Sequence, residues 1–281
     1  MNISQQEGVD PFCEIEFWRS VGAHPAISNP VDAATGVLMC CIACIPILDA
    51  QVVVFRVPFV FFIAKAAIFI TGAGTAVFHS VSLQYDALNI RALDWIPIVL
   101  MGFTAILLFV AHDMLAPPTR APMLPASEIW TVAVCAACLL WMVANIVIMD
   151  TGTRPKLAAA SHDASLTWAN VLLLVPFLLV VLRMLSEPTM RAHMLPGGIL
   201  TAASVAMWAI NSALCRAAPW LFFLHAVYHL TIAVAYMHLV AIATAFVSQG
   251  YLDVRLVGPL SLWPRLSASN AAYESFVLLF G

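Results

Sequence analysis

Three histidines and an aspartate stand at the ends of apolar segments in an otherwise greasy chain. His79 closes "GAGTAVFHS", Asp94 opens "DWIP", and His225 and His229 sit together in "LHAVYHL". Ionisable groups are costly inside a bilayer, so those found there usually serve a site. His225 and His229 are spaced i, i+4 and lie about 40° apart on one helical face. That spacing lets one helix give two imidazoles to zinc. A third imidazole from another helix leaves one coordination position open, the catalytic rather than the structural pattern. Such a metal acidifies water and polarises a carbonyl. Asp94, followed by a fixed turn at Trp95-Ile96-Pro97, is the carboxylate placed to take a proton and return it to a leaving amine. Thr75, four residues before His79, sits one turn below it, where its hydroxyl can steady an oxyanion.

Each residue alone has a plainer reading. Two hydrogen-bonded histidines can join helices. A threonine in a helix back-bonds to its own carbonyls, and an aspartate caps a helix start. The shared placement separates the readings, and that rests on the elements that hold these residues.

Of 281 residues, 63% are hydrophobic and 10% charged, where a soluble domain is nearer half and a quarter. An all-α, polytopic membrane protein is expected, with nearly the whole chain in the bilayer. A spanning helix needs about 20 apolar residues. Seven candidates follow: roughly Val31–Leu48, Val57–His79, Asp94–Met114, Ile129–Met149, Trp168–Met184, Ile199–Leu214 and Trp220–Val247. Residues 1–30 form an N-terminal extramembrane segment, 31–247 the seven-helix bundle and 248–281 a C-terminal tail on the membrane surface or disordered. Strands are not expected, because no alternating pattern recurs. "NP" at Asn29–Pro30, "APPTRAP", "DTGTRP" and "LPGG" punctuate the helices.

With seven helices, the end of an even helix and the start of an odd one share a membrane face. His79, Asp94, His225 and His229 therefore all fall on the N-terminal side. Lys and Arg divide five on that side against seven on the other. This favours the N-terminus outside. The start of the chain lacks the basic-then-apolar order of a signal peptide, so the first spanning helix is expected to direct insertion. A net charge of -3 without a basic run gives no sign of nucleic-acid binding. Cys41/Cys44 and Cys135/Cys138 have C-x-x-C spacing but lie in apolar runs, where they read as small packing residues.

In these motifs the chain resembles the alkaline ceramidase family. That family carries Gly-x-Gly-Ser-x-x-Phe-His, then Asp-x-x-Pro, then His-x-x-x-His, and here the stretches read "GAGTAVFH", "DWIP" and "HAVYH". "WAINSALC", "ISN" and "LTIAVAYMH" are similar to further stretches of it. The resemblance implies a zinc-dependent hydrolase of lipid amides such as ceramide, embedded in the endoplasmic reticulum or Golgi of a eukaryote or the cytoplasmic membrane of a bacterium. It implies zinc on His79, His225 and His229, Asp94 as general base and acid, and Thr75 in place of the family's serine. The stretch from His79 to Asp94 is longer than the family's by about a turn, which makes Asp86 a rival for the acid/base role. Eukaryotic members of the family also hold calcium on an acidic N-terminal segment, for which this chain offers Asp10, Glu14 and Glu16 in a more compressed spacing. Three such carboxylates suit calcium and equally suit a solvated N-terminus. The adiponectin and progestin receptor type shares the zinc pattern without turnover and is the second reading; a transporter is the third.

Overall fold

The computed structural model describes residues 13–23, 26–27, 29–49, 59–81, 188–214, 217–247, 252–258 and 263–269. These form α1 (Cys13–Ser20), α2 (Pro30–Cys44), α3 (Phe59–Val81), α4 (Pro188–Leu214), a 3₁₀ turn (Pro219–Phe222), α5 (Phe223–Val247), β1 (Leu252–Val257) and β2 (Trp263–Ala268). Among the described residues, three helical stretches are long and apolar enough to cross a membrane: Phe61–Val81, Met194–Asn211 and Pro219–Ala245. The spans expected at Asp94–Met114, Ile129–Met149 and Trp168–Met184 lie outside the described residues. The mostly helical architecture and its membrane character follow from these elements.

α2 is short, 15 residues, and stops at Cys44 rather than Leu48. Pro30 opens it, where a missing N–H costs nothing. A residue from elsewhere in the chain caps it. The Glu14 carboxylate of α1 accepts the Val31 N–H at 2.7 Å and the Asp32 N–H at 3.1 Å. The Trp18 indole N–H adds a third bond at 3.0 Å. An anion against the first-turn amides satisfies orphan donors and complements the helix dipole. At the other end, Lys65 Nζ of α3 donates to the Ile45 carbonyl at 2.9 Å.

α2 packs chiefly on α3 and α4 on α5, and α2 and α3 both touch α5. The α2–α3 crossing is backbone against backbone. A Cβ on Gly36 would lie 2.5 Å from the Ala76 nitrogen, and one on Gly72 would lie 2.6 Å from the Gly36 carbonyl oxygen. α2 fills the space that Gly72 leaves on α3. Between α4 and α5, the Ser204 hydroxyl donates to Thr231 Oγ1 at 2.7 Å. The core lies between these helices and includes Met39, Phe61, Ile68, Met237 and Val240. Large apolar side chains such as Phe62, Phe69, Val77, Ile199 and Trp208 face outward, as a lipid-facing surface requires.

Two expectations are corrected. α4 begins at Pro188 and runs through Pro196, Gly197 and Gly198, so "LPGG" lies inside the helix and does not precede it. Close packing on α5 is the reason for glycine there, since a Cβ on Gly197 would sit 2.9 Å from His238 Cβ. Strands also occur, contrary to expectation. β1 and β2 pair antiparallel from Leu252↔Ala268 to Val257↔Trp263. Leu252 and Val254 point inward and Asp253 and Arg255 outward, the alternation of a half-buried strand. The hairpin has a core to sit on because it packs against α5. Residues 47–49 lengthen the sheet: Leu266 N–H donates to the Ile47 carbonyl at 2.6 Å and Asp49 N–H to the Leu266 carbonyl at 2.9 Å. Arg265 pairs with Asp49. That pairing offsets the like charge of Arg255, its cross-strand neighbour.

The glycine crossing gives a test. Gly72→Ala places a methyl against backbone that cannot swing away and forces the helices apart, at about 1–3 kcal/mol. Gly198→Ala meets nothing within 4 Å. The thermal midpoint in detergent should fall for Gly72→Ala and hold or rise for Gly198→Ala.

Candidate metal centre

His79 lies in the last turn of α3, and His225 and His229 lie in the first two turns of α5. α3 reaches this end with its C-terminus and α5 with its N-terminus. The three rings meet, with centroids 5.6 Å apart for His79–His225, 5.4 Å for His79–His229 and 4.5 Å for His225–His229. One ring nitrogen from each falls within 4.8 Å of the others. Nitrogens around tetrahedral zinc sit roughly 3.4 Å apart, as bond lengths of about 2.0–2.1 Å require. A spacing of this order marks a group that could hold a metal ion. His79 and His229 are buried and His225 is half-buried.

α2 reaches the same place with its N-terminus. The Asn29 N–H donates to the His79 carbonyl at 2.8 Å. The Thr35 hydroxyl stands 2.9 Å from His229 Nδ1 and donates to the Asp32 carbonyl at 2.7 Å. A hydroxyl has one hydrogen. With that hydrogen on the Asp32 carbonyl, the Thr35 oxygen accepts Nδ1–H, and the His229 Nε2 lone pair is left for a metal. Asp32 Oδ2 stands 3.9 Å from His79 Nδ1. The donor set, its spacing and this tautomer fit zinc.

The structure brings together His79, His225 and His229 as expected. Thr75 is buried in α3 one turn before His79. Asp94, Asp86 and Asp10 lie outside the described residues. Glu16 is in α1, and its side chain is not described. Glu14 is turned inward onto α2 and accepts three N–H groups. His238, 0% exposed, packs its Cβ toward Gly197, about 13 Å further along α5 than His229 by helical rise.

Asp32 and Thr35 were missed from the sequence. The rule that singled out Asp94 applies equally to a carboxylate in α2, but an acid three residues after Asn-Pro passes for an ordinary first-turn residue. Above the histidines, α1 covers the 3₁₀ turn. The Phe17 and Phe222 rings are 4.9 Å apart, and Trp18 and Phe222 are 6.3 Å apart. Cys13 of α1 is disulfide-bonded, whereas Cys40, Cys41 and Cys44 are free.

No protein-family model matches the chain, and no curated protein matches it.

The purified protein should carry one zinc per chain by elemental analysis. His79→Ala, His225→Ala and His229→Ala should each lose it while still eluting as a single species. Retention of stoichiometric zinc by any of the three would remove that residue from the centre.

Proposed function

We propose that the chain is a zinc-dependent lipid amide hydrolase of the alkaline ceramidase type, built as a seven-helix bundle with its N-terminus outside. The observation that carries the reading is the convergence of His79, His225 and His229 at one end of long apolar helices. Polar chemistry at the end of a membrane helix meets lipid headgroups, and the amide of a ceramide lies close to that depth. The order of the motifs along the chain supports the same family. The disulfide at Cys13 supports an oxidising compartment on this side.

A zinc ion on the three imidazoles would supply Lewis acidity to a carbonyl and bring the pKa of water toward neutrality. The remaining chemistry belongs to side chains. Asp94 takes the proton of the attacking water and returns it to the nitrogen of the leaving sphingoid base. Thr75 donates a hydrogen bond to the oxygen that becomes negative as the carbonyl is attacked. The products are a fatty acid and a sphingoid base. The acyl and sphingoid chains lie along outward apolar faces, so substrate enters from the bilayer. Calcium on Asp10 and Glu16 is a separate expectation on which this mechanism does not draw, and Glu14 is taken up by the amides of α2.

The test is release of free sphingoid base from ceramide by the purified protein in detergent, beside two variants. Asp94→Ala should slow release by about 10²–10⁴-fold, the usual contribution of a general base. Thr75→Val should slow it by about 10²–10³-fold, and Thr75→Ser should stay near the parent. Equal release by Asp94→Ala and the parent would pass the acid/base role to Asp86. No release by zinc-loaded parent would favour the receptor reading, which keeps the metal without turnover.

A further inference from the structure

We propose that the first turn of α2 is the outer shell of this metal centre, with Asp32 and Thr35 positioning two of its three imidazoles. The inference rests on the zinc reading and adds to it two residues from a helix that supplies no metal ligand.

An imidazole ligand binds metal through one nitrogen, and the partner of the other sets its tautomer and the plane of its ring. For His229 that partner is Thr35. Its hydroxyl hydrogen is committed to the Asp32 carbonyl at 2.7 Å, so its lone pair faces His229 Nδ1 at 2.9 Å. Nδ1 then carries hydrogen and Nε2 is the ligating atom. For His79 the partner is the Asp32 carboxylate, whose Oδ2 lies 3.9 Å from Nδ1. This exceeds hydrogen-bond length but lies within ion-pair reach, and a carboxylate there favours the tautomer with hydrogen on Nδ1. Both residues thus leave Nε2 to the metal. They stand at i, i+3 and share one face of α2.

Burial argues the same way. Asp32 is 3% exposed and Thr35 6%. A carboxylate in an apolar bundle is unfavourable unless something nearby stabilises its charge. A dication held on His79 would add to that stabilisation, and the carboxylate would in turn raise the basicity of that ligand.

The turn is also held rigidly against α3. Glu14 caps its amides, Asn29 bonds the His79 backbone, and Gly36 abuts Ala76 and Gly72. An outer shell must be fixed at this level to orient its ligands.

The test is zinc affinity of the full chain in detergent, measured by competition with a chromophoric chelator, so that it needs no substrate. Asp32→Asn and Thr35→Val should each weaken zinc about 10- to 100-fold, the usual effect of losing an outer-shell partner. Thr35→Ser restores the hydroxyl and should restore the parent's affinity. Thr35→Val and Asp32→Asn binding as tightly as a zinc-loaded parent would overturn the positioning roles and leave the centre standing. Thr35→Ser as weak as Thr35→Val would also overturn them, because packing and not the hydroxyl would then be responsible. A parent that binds no zinc would overturn the centre and the inference together. If Asp32→Asn does not elute as a single species, the Thr35 pair decides.

Discussion

Two glycines, Gly36 and Gly72, let α2 and α3 meet with no side chain between them. Everything at the histidine end depends on that approach. Helices in a bilayer gain little from burying apolar surface against each other, because lipid is just as apolar. Close backbone contact and the dispersion it brings take over that role. The crossing sets how far the N-terminus of α2 stands from the C-terminus of α3. Thr35 is the residue before Gly36, and His79 lies two turns after Gly72. The distances from Asp32 and Thr35 to the imidazoles are therefore fixed by a contact made one to two turns away.

The same scarcity of water explains how polar groups are handled. A carboxylate of α1 closes the start of α2, and a lysine of α3 closes its end. Hydroxyls in α3, α4 and α5 turn back on carbonyls four residues earlier, as at Thr71, Thr201 and Thr244. Ser204 reaches on to Thr231, an interhelical bond of about 0.6 kcal/mol in such a setting. Bonds of that size do not hold a bundle together, but they pick one rotation of each helix. Rotation decides whether His225 and His229 face α3 or the lipid.

Some of this arrangement could be read in the residues. The i, i+4 spacing of His225 and His229 put both imidazoles on one helical face, and the structure brings His79 to them. The roles of Asp32 and Thr35 were not visible, because no spacing within α2 reports which helix it will face. Glu14 was singled out as an acid near others, and only the packing of α1 shows that it is committed to the amides of α2. The hairpin had its signal in "LDVRLV", where inward and outward residues alternate. A chain so apolar directs attention to helices, and six residues of alternation are easily passed over in it. Pro196 misled for a related reason: its local cost is real, but α5 packed alongside lets the helix continue past it.

The hairpin and residues 47–49 join distant parts of the chain in one small sheet. Ribosomal synthesis delivers the segment after α2 well before β2. Until β2 arrives, the amide of Asp49 and the carbonyl of Ile47 have no strand to pair with. The sheet therefore closes only after α3, α4 and α5 have been made. Its long loop slows closure in the way that distant contacts always do. Once formed, it ties the C-terminal end of α2 to that of α5, so the two helices are fastened at both ends, by a sheet at one and by the Glu14 cap and the glycine crossing beside the histidines at the other.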